Sequence, residues 1–169
     1  MENNTAKSEL ENKARSWLIE RGVTLDDIAD LVYYLQNKYH EDLTLEECKY
    51  HVDRVLSKRE IQNAILTGIQ LDVLAEQKKL EEPLQHTIEI DESLYGVDEI
   101  IAFSIVNVYG SIGFTNYGYI DKQKPGILKK LNDKSTGQCH TFLDDIVGAI
   151  AAAASSRLAH SSINDKDID

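Results

Sequence analysis

Apolar residues recur at three- and four-residue intervals along most of the chain, the spacing that places them on one face of an α-helix. In the first half, this pattern predicts helices over residues 10–20, from residue 24 to about 40, from residue 44 to a break near 57, and from residue 59 to about 80. Gly22 suits a helix end, and the hydroxyls of Thr24 and Thr44 can cap the next two helices, Thr44 within a Thr-Leu-Glu-Glu capping box. Residues 84–93 alternate apolar and polar positions without a partner strand, so we expect a connecting loop there.

The second half is richer in apolar and small residues. Helices are predicted over residues 100–108, over residues 124–131 and from residue 141 to about 160, followed by a frayed polar tail over residues 161–169. The first of these is apolar on all sides, which indicates a buried helix. Gly110, Gly113 and Gly118 follow it and predict a loop whose backbone can approach a ligand closely. The hydroxyl of Thr141 is the expected cap of the last helix.

These elements predict an all-α protein. Neither a repeat nor a domain boundary is visible, so residues 1–169 are expected to form a single domain, a helical array with a buried central helix surrounded by others. The stretch Gly148–Ala154 in the last helix has almost no side-chain bulk. Neighbouring helices can therefore pack closely against it.

The charge balance narrows the function. The 169 residues include 18 Lys and Arg against 29 Asp and Glu, a net charge of −11, which argues against nucleic acid as a partner. Two cysteines, Cys48 and Cys139, are too few for a disulfide framework or a thiolate metal site. The longest apolar run, Ile146–Ala154, is shorter than the roughly 20 residues that span a membrane. We therefore expect a cytoplasmic protein with no signal peptide or transmembrane segment.

Three acidic places stand out because they adjoin apolar helices. They are Asp98-Glu99, Asp121 with Lys124, and Asp144-Asp145. Each alone has an ordinary structural explanation, a favourable helix dipole, a cap or a surface ion pair. Together, carboxylates from separate helices without thiolates select a hard divalent cation, Mg²⁺ before Zn²⁺. A lysine beside such a cation suits a phosphate group. His140, close to the last acidic pair, is the one histidine worth testing.

Several of these residues lie in motifs that resemble a known family. Two segments carry the resemblance: Tyr119-Ile120-Asp121-Lys122-Gln123-Lys124-Pro125-Gly126-Ile127 and, further on, Leu143-Asp144-Asp145-Ile146-Val147. Together they resemble the C-terminal signature of the phosphatidylglycerophosphatase A family. Gly96-Val97-Asp98-Glu99 resembles the family's Asp-Glu motif, and Gly68-Ile69-Gln70 fits a weaker upstream segment. The resemblance covers residues 60–160 approximately and is greatest to the soluble branch called low-temperature-requirement C.

This resemblance implies an all-helical, Mg²⁺-dependent phosphatase that converts phosphatidylglycerophosphate to phosphatidylglycerol, with Mn²⁺ as an alternative metal. The residues it places in the site are Asp98, Glu99, Asp121, Lys124, Asp144 and Asp145. The metal ligands are expected at positions 98, 99, 121 and 145, and the strongest candidates among them are Glu99, Asp121 and Asp145. The catalytic residues are expected to be Asp121, Asp144, Asp145 and Lys124. In this scheme Lys124 contacts phosphate and a metal-bound water attacks phosphorus.

Two departures from the family pattern bear on the substrate. Residues 1–60 lack the Gly- and Pro-rich motif of the membrane-bound members, and this chain lacks their spanning helices. The substrate is accordingly either a phosphorylated lipid, reached through transient membrane contact, or a small soluble phosphate ester.

Two other functions remain open at this point. A non-catalytic helical interaction or regulatory module would have kept the scaffold without the reaction, with residues 1–60 serving a partner or a homo-oligomer. An all-α nucleotide pyrophosphohydrolase is less favoured, because Glu46, Glu47 and Asp53 do not give the required Glu-x-x-Glu and Glu-x-x-Asp pairs.

Overall fold

The structure, a computed structural model, describes residues 7–110 and 112–166. Over this part of the chain it contains nine α-helices and no strand, which confirms the all-α prediction. The helices are α1 (Glu9–Glu20), α2 (Leu25–Gln36), α3 (Leu45–Leu56), α4 (Arg59–Glu76), α5 (Leu84–Glu89), α6 (Val97–Val106), α7 (Ile112–Gln123), α8 (Ile127–Leu131) and α9 (Leu143–Lys166).

The caps of the N-terminal helices follow the sequence pattern. The Thr24 hydroxyl accepts the Asp27 backbone N–H at 3.1 Å, and the Asp27 carboxylate accepts the Thr24 N–H at 2.9 Å, which completes a capping box for α2. At the start of α3, the Thr44 hydroxyl accepts the Glu47 N–H at 3.2 Å. These caps satisfy backbone donors that would otherwise have no partner in the first turn of each helix.

The central helix is α9. Phe142 and the residues of α9 from Leu143 to Ser156 are all buried, and α9 packs against α2, α3, α4, α6, α7 and α8. The small side chains of the stretch Gly148–Ala154 allow this close approach on several sides. On α4, Gly68 makes a similar contact, because a Cβ at this position would lie 3.0 Å from the Cβ of Phe142.

The prediction that residues 100–108 form a fully buried helix is wrong. In α6, Asp98, Ala102 and Ile105 are buried, whereas Val97 and Ile100 are exposed. Only one face of α6 is covered by the other helices. Apolar composition alone cannot show which side of a helix the fold leaves uncovered.

Two predicted loops are helical. Residues 84–89 form α5, which is held by its tertiary contacts: Ile88 is buried in the core and the Gln85 side chain donates to the Ala75 carbonyl at 2.8 Å. The glycine-rich stretch belongs to α7, where Gly113 lies close to Val106 of α6. Glycine is a weak helix former, so packing rather than propensity maintains this helix.

The boundaries of the last two helices also differ from prediction. The short helix α8 begins at Ile127 rather than Lys124, because Lys124 and Gly126 have φ angles of 46° and 56°. The last helix continues to Lys166, and residues 167–169 of the predicted tail lie outside the described residues. None of the described helices is long and apolar enough to cross a membrane.

Candidate active site

The N-terminus of α9 is capped by a residue from another helix. Asp72 of α4 is buried, and its carboxylate accepts the backbone N–H groups of Phe142 and Leu143, each at 3.0 Å. Burial raises the pKa of Asp72, and these two N–H donors oppose the rise. The predicted cap, Thr141, is wrong: its hydroxyl donates to the Ile88 carbonyl at 2.6 Å. Asp72 thus fixes the start of the helix that carries Asp144 and Asp145.

A partly buried ion pair holds the segment that enters α9. Arg21, directly after α1, lies 2.6 Å from the Glu76 carboxylate and donates to the Cys139 carbonyl at 2.8 Å, while Glu76 accepts the Cys139 N–H at 2.6 Å. His140 lies beside Arg21, and burial together with that guanidinium lowers the pKa of His140 to about 4. His140 is therefore neutral at neutral pH.

Carboxylates from α6, α7 and α9 lie close together near the N-terminus of α9. The Lys124 ammonium lies 2.9 Å from the Asp121 carboxylate and 3.4 Å from that of Asp144. Asp98 lies close enough to Asp145 for its carboxylate to raise the pKa of Asp145. Most of the residues that the sequence predicted for the site are therefore brought together, although they are distant along the chain. We refer to Asp98, Asp121, Asp144, Asp145 and Lys124 as the acidic cluster.

Glu99 lies outside these contacts. Its side chain is exposed, whereas Asp98 is buried. Consecutive residues of an α-helix point about 100° apart, so α6 directs only one of the two carboxylates inward.

The acidic cluster carries more negative charge than its one lysine offsets. Burial, with the neighbouring carboxylates of Asp144 and Asp98, raises the pKa of Asp145 to about 10. Burial likewise raises the pKa of Asp144 to about 7, although Lys124 opposes the rise. With a pKa of about 10, the Asp145 carboxyl keeps its proton at neutral pH. A cation placed among these groups would replace that proton and relieve the repulsion.

The sequence does not mark Asp91 as a site residue, because its pattern over residues 84–93 predicts only a connecting loop. It is half-buried beside the cluster, and burial with the carboxylates of Asp98 and Asp121 raises its pKa, against Lys134 and Lys124. Its φ angle is 52°, and that of Lys124 is 46°. Positive φ is costly for residues other than glycine and is often found at functional sites. No local sequence pattern announces this conformation.

Tyr117 is a second residue that sequence reasoning missed. It is 4% exposed, and its hydroxyl has no hydrogen-bond partner among the described residues. Burial and the Asp145 carboxylate raise the pKa of this hydroxyl, so it keeps its proton. Tyr117 lies four residues before Asp121 on α7, a spacing that places both on one helix face. This spacing is the signal that could have identified it.

A cavity of about 280 Å³ adjoins the cluster. Asp91 and Asp144 line the side that the cavity shares with the cluster, and Lys134, Asn132 and His140 line other parts of the wall. A group bound at the acidic cluster could therefore extend into this cavity, where the Lys134 side chain forms part of the wall.

The atoms of the acidic cluster that could bind a metal are all carboxylate oxygens, which suit Mg²⁺ or Mn²⁺ better than softer metals. Within residues 7–110 and 112–166, no three His, Cys, Asp or Glu side chains are already arranged as a metal site. Lys124 lies between Asp121 and Asp144. Metal binding would therefore require these side chains to turn and the lysine to give up one contact.

Comparison with known proteins gives consistent matches over nearly the whole chain. The family model for phosphatidylglycerophosphatase A matches residues 15–160, a longer stretch than the motifs indicated. YutG of Bacillus subtilis (strain 168), described as uncharacterized, is 75% identical over 160 residues, 95% of this chain and 96% of its own. The crystal structure of the low temperature requirement C protein from Listeria monocytogenes has 70% identity and a TM-score of 0.91, covering 92% of this chain and 98% of that chain. A protein of unknown function from Bacillus stearothermophilus has 78% identity and a TM-score of 0.89, over 90% and 94% of the two chains.

Proposed function

Because the chain belongs to the phosphatidylglycerophosphatase A family, we propose that it is a Mg²⁺-dependent phosphatase that hydrolyses a phosphate monoester. The substrate that family membership suggests is phosphatidylglycerophosphate, with phosphatidylglycerol as the product. The observation that carries the proposal is the convergence of carboxylates from α6, α7 and α9, of which Asp98, Asp144 and Asp145 are buried, beside a single lysine. Folding alone gives no reason to bury so many like charges together, since each such group is costly to desolvate.

We assign the metal to Asp98, Asp121 and Asp145, which supply oxygen ligands from three different helices. Glu99, the further ligand expected from the motif, is exposed, and we do not include it among the metal ligands. When bound, the cation would offset the negative charge that develops on phosphate and activate water as the nucleophile. An acidic protein could then hold an anionic substrate.

The remaining residues act on the phosphate and on protons. Lys124 would donate to a phosphate oxygen once it leaves Asp121 or Asp144, and the free hydroxyl of Tyr117 would donate to a second oxygen. Asp144, with a pKa of about 7, can give a proton to the leaving alcohol oxygen near neutral pH. Since Asp144 also lines the cavity, that alcohol would occupy the cavity.

The first test is metal binding without catalysis. Mg²⁺ or Mn²⁺ at about 100 times its dissociation constant should stabilise the fold by about 2.7 kcal/mol, seen as a rise in melting temperature. Asp145→Asn should abolish this rise without lowering the melting temperature of the metal-free protein, because Asp145 is already protonated there and the amide is a neutral group of nearly the same size. An unchanged melting temperature in the wild-type protein at high metal would favour the non-catalytic module.

The second test is phosphate release from phosphatidylglycerophosphate and from glycerol 3-phosphate. Asp121→Asn and Asp145→Asn should each reduce the rate by roughly a hundredfold or more, with unchanged helical content by circular dichroism. Asp26→Asn, an exposed carboxylate on α2, is the matched control and should be nearly silent. Glu99→Gln shows whether that exposed carboxylate contributes. Full activity of Asp121→Asn or Asp145→Asn would refute the assigned roles.

A further inference from the structure

The exposed side of α6 and the segment before it form an apolar surface. Leu94 is 89% exposed, Val97 44% and Ile100 63%, and Ile90 is also exposed. We call these four residues the apolar ridge. Exposed apolar side chains are usually scattered singly over a protein surface. Four of them within one short stretch indicate a surface that is covered in use.

The apolar ridge borders the acidic cluster. Asp91 follows Ile90 and Asp98 follows Val97, and both aspartates turn inward while the ridge residues face outward. Between them, Tyr95 packs edge-to-face on Phe142 with ring centroids 5.7 Å apart. This contact attaches the segment to the start of α9. A partner that covers the apolar ridge would therefore lie next to the acidic cluster.

A basic segment lies beside the cavity that adjoins the acidic cluster. Residues 122–134 contain the lysines at 122, 124, 129, 130 and 134 and a single carboxylate, Asp133, in a protein whose net charge is −11. Lys129 and Lys130 are exposed because α8 turns Ile127, Leu128 and Leu131 into the core. The Lys134 ammonium donates to the Ile90 carbonyl at 3.3 Å, so the basic segment contacts the ridge at Ile90, beside the cavity that Lys134 and Asp91 line.

We propose that the apolar ridge and the exposed lysines of residues 122–134 form a docking surface for a bilayer that contains anionic lipid. The lysines would meet the lipid headgroups while the ridge enters the interface, with the cavity mouth turned toward the lipid. This inference rests on the proposed function insofar as the substrate is a phosphorylated lipid. Glu92 and Glu99, both exposed in the same stretch, oppose the attraction to anionic lipid. Docking is therefore reversible rather than a permanent anchor.

The test is sedimentation of the full-length protein with phosphatidylcholine vesicles, prepared with and without phosphatidylglycerol. Binding should be stronger with phosphatidylglycerol and should weaken as salt is added. The double variant Leu94→Ser, Ile100→Ser should lose roughly tenfold in partitioning. Ile19→Ser, which changes an aliphatic residue on α1 with an exposure close to that of Ile100, should lose none. Lys129→Gln and Lys130→Gln should each reduce the preference for phosphatidylglycerol by about fivefold.

Hydrolysis of glycerol 3-phosphate without vesicles separates this proposal from the proposed function. The Leu94→Ser, Ile100→Ser variant should hydrolyse this ester as fast as the wild-type protein does, and a slower rate would overturn the docking role. A wild-type protein that hydrolyses the ester but does not bind vesicles would overturn docking and leave the phosphatase proposal standing. A wild-type dimer that the double variant dissociates in sedimentation velocity would instead assign the ridge to contact between two copies.

Discussion

Removing the carboxylate of Asp72 is expected to destabilise the whole fold, although no pattern in its own helix marks it as important. The side chain lies in α4, is buried, and accepts the N–H groups of Phe142 and Leu143 at the start of α9. In Asp72→Ala these two donors lose their acceptor, and protein surrounds them so that water cannot replace it. The same substitution would loosen the helix start that presents Asp144 and Asp145.

The size of the effect follows from the two N–H groups. A buried donor left without a partner costs about 1–3 kcal/mol, so Asp72→Ala should lower the free energy of unfolding by about 2–6 kcal/mol. For a chain of this length, 1 kcal/mol corresponds to a fall of about 2–4 °C in melting temperature. A loss near the middle of the range would appear as a fall of about 8–16 °C. Asp72→Asn keeps one acceptor oxygen and should lose less than Asp72→Ala.

Urea unfolding followed by circular dichroism measures these changes. The control is Asp26→Ala, which removes an exposed carboxylate from the first turn of α2 together with its ion pair to Lys49, and should cost less than about 1 kcal/mol. If Asp72→Ala unfolds within about 0.5 kcal/mol of the wild-type protein, the N–H groups find another acceptor and the capping argument is refuted.

Three further substitutions test separate parts of the structure. Gly68→Ala should destabilise by about 1–3 kcal/mol, because its Cβ would lie 3.0 Å from the Cβ of Phe142 and would clash with the Ile146 side chain of α9. Gly118→Ala, whose Cβ would meet nothing within 4 Å, should stabilise by up to about 1 kcal/mol, and equal effects in urea unfolding would refute the packing argument. Burial and Arg157 lower the pKa of His51 to about 4, against about 6.5 when unfolded. The unfolded state then binds more protons between these values, so stability should be complete above pH 6.5 and fall by up to about 3 kcal/mol toward pH 4. Replacing His51 by Gln should flatten that part of the unfolding curve against pH. Tyr117→Phe should slow phosphate release by about tenfold to a hundredfold without lowering the melting temperature, and an unchanged rate would exclude the hydroxyl from the reaction.

Local interactions made much of the fold predictable. The helices α1 to α4 follow from apolar spacing, and the caps at Thr24 and Thr44 from hydroxyl and acidic residues three positions apart. Such interactions join residues within one or two turns, so they leave a readable pattern in the sequence. The candidate carboxylates could also be identified, because acidic residues beside apolar helices are costly unless something requires them.

The tertiary structure decided what depends on contacts between distant residues. Asp72 rather than Thr141 caps α9, since the donors at a helix start accept any suitably placed carboxylate, wherever it lies in the chain. The short helix α5 forms because Ile88 reaches the core, and one side of α6 stays exposed because no other helix among the described residues covers it. Asp91 and Tyr117 join the acidic cluster through the folded path of the chain alone. The sequence determined which residues could carry the chemistry, whereas packing determined which of them meet, because burial and proximity are properties of the folded chain as a whole.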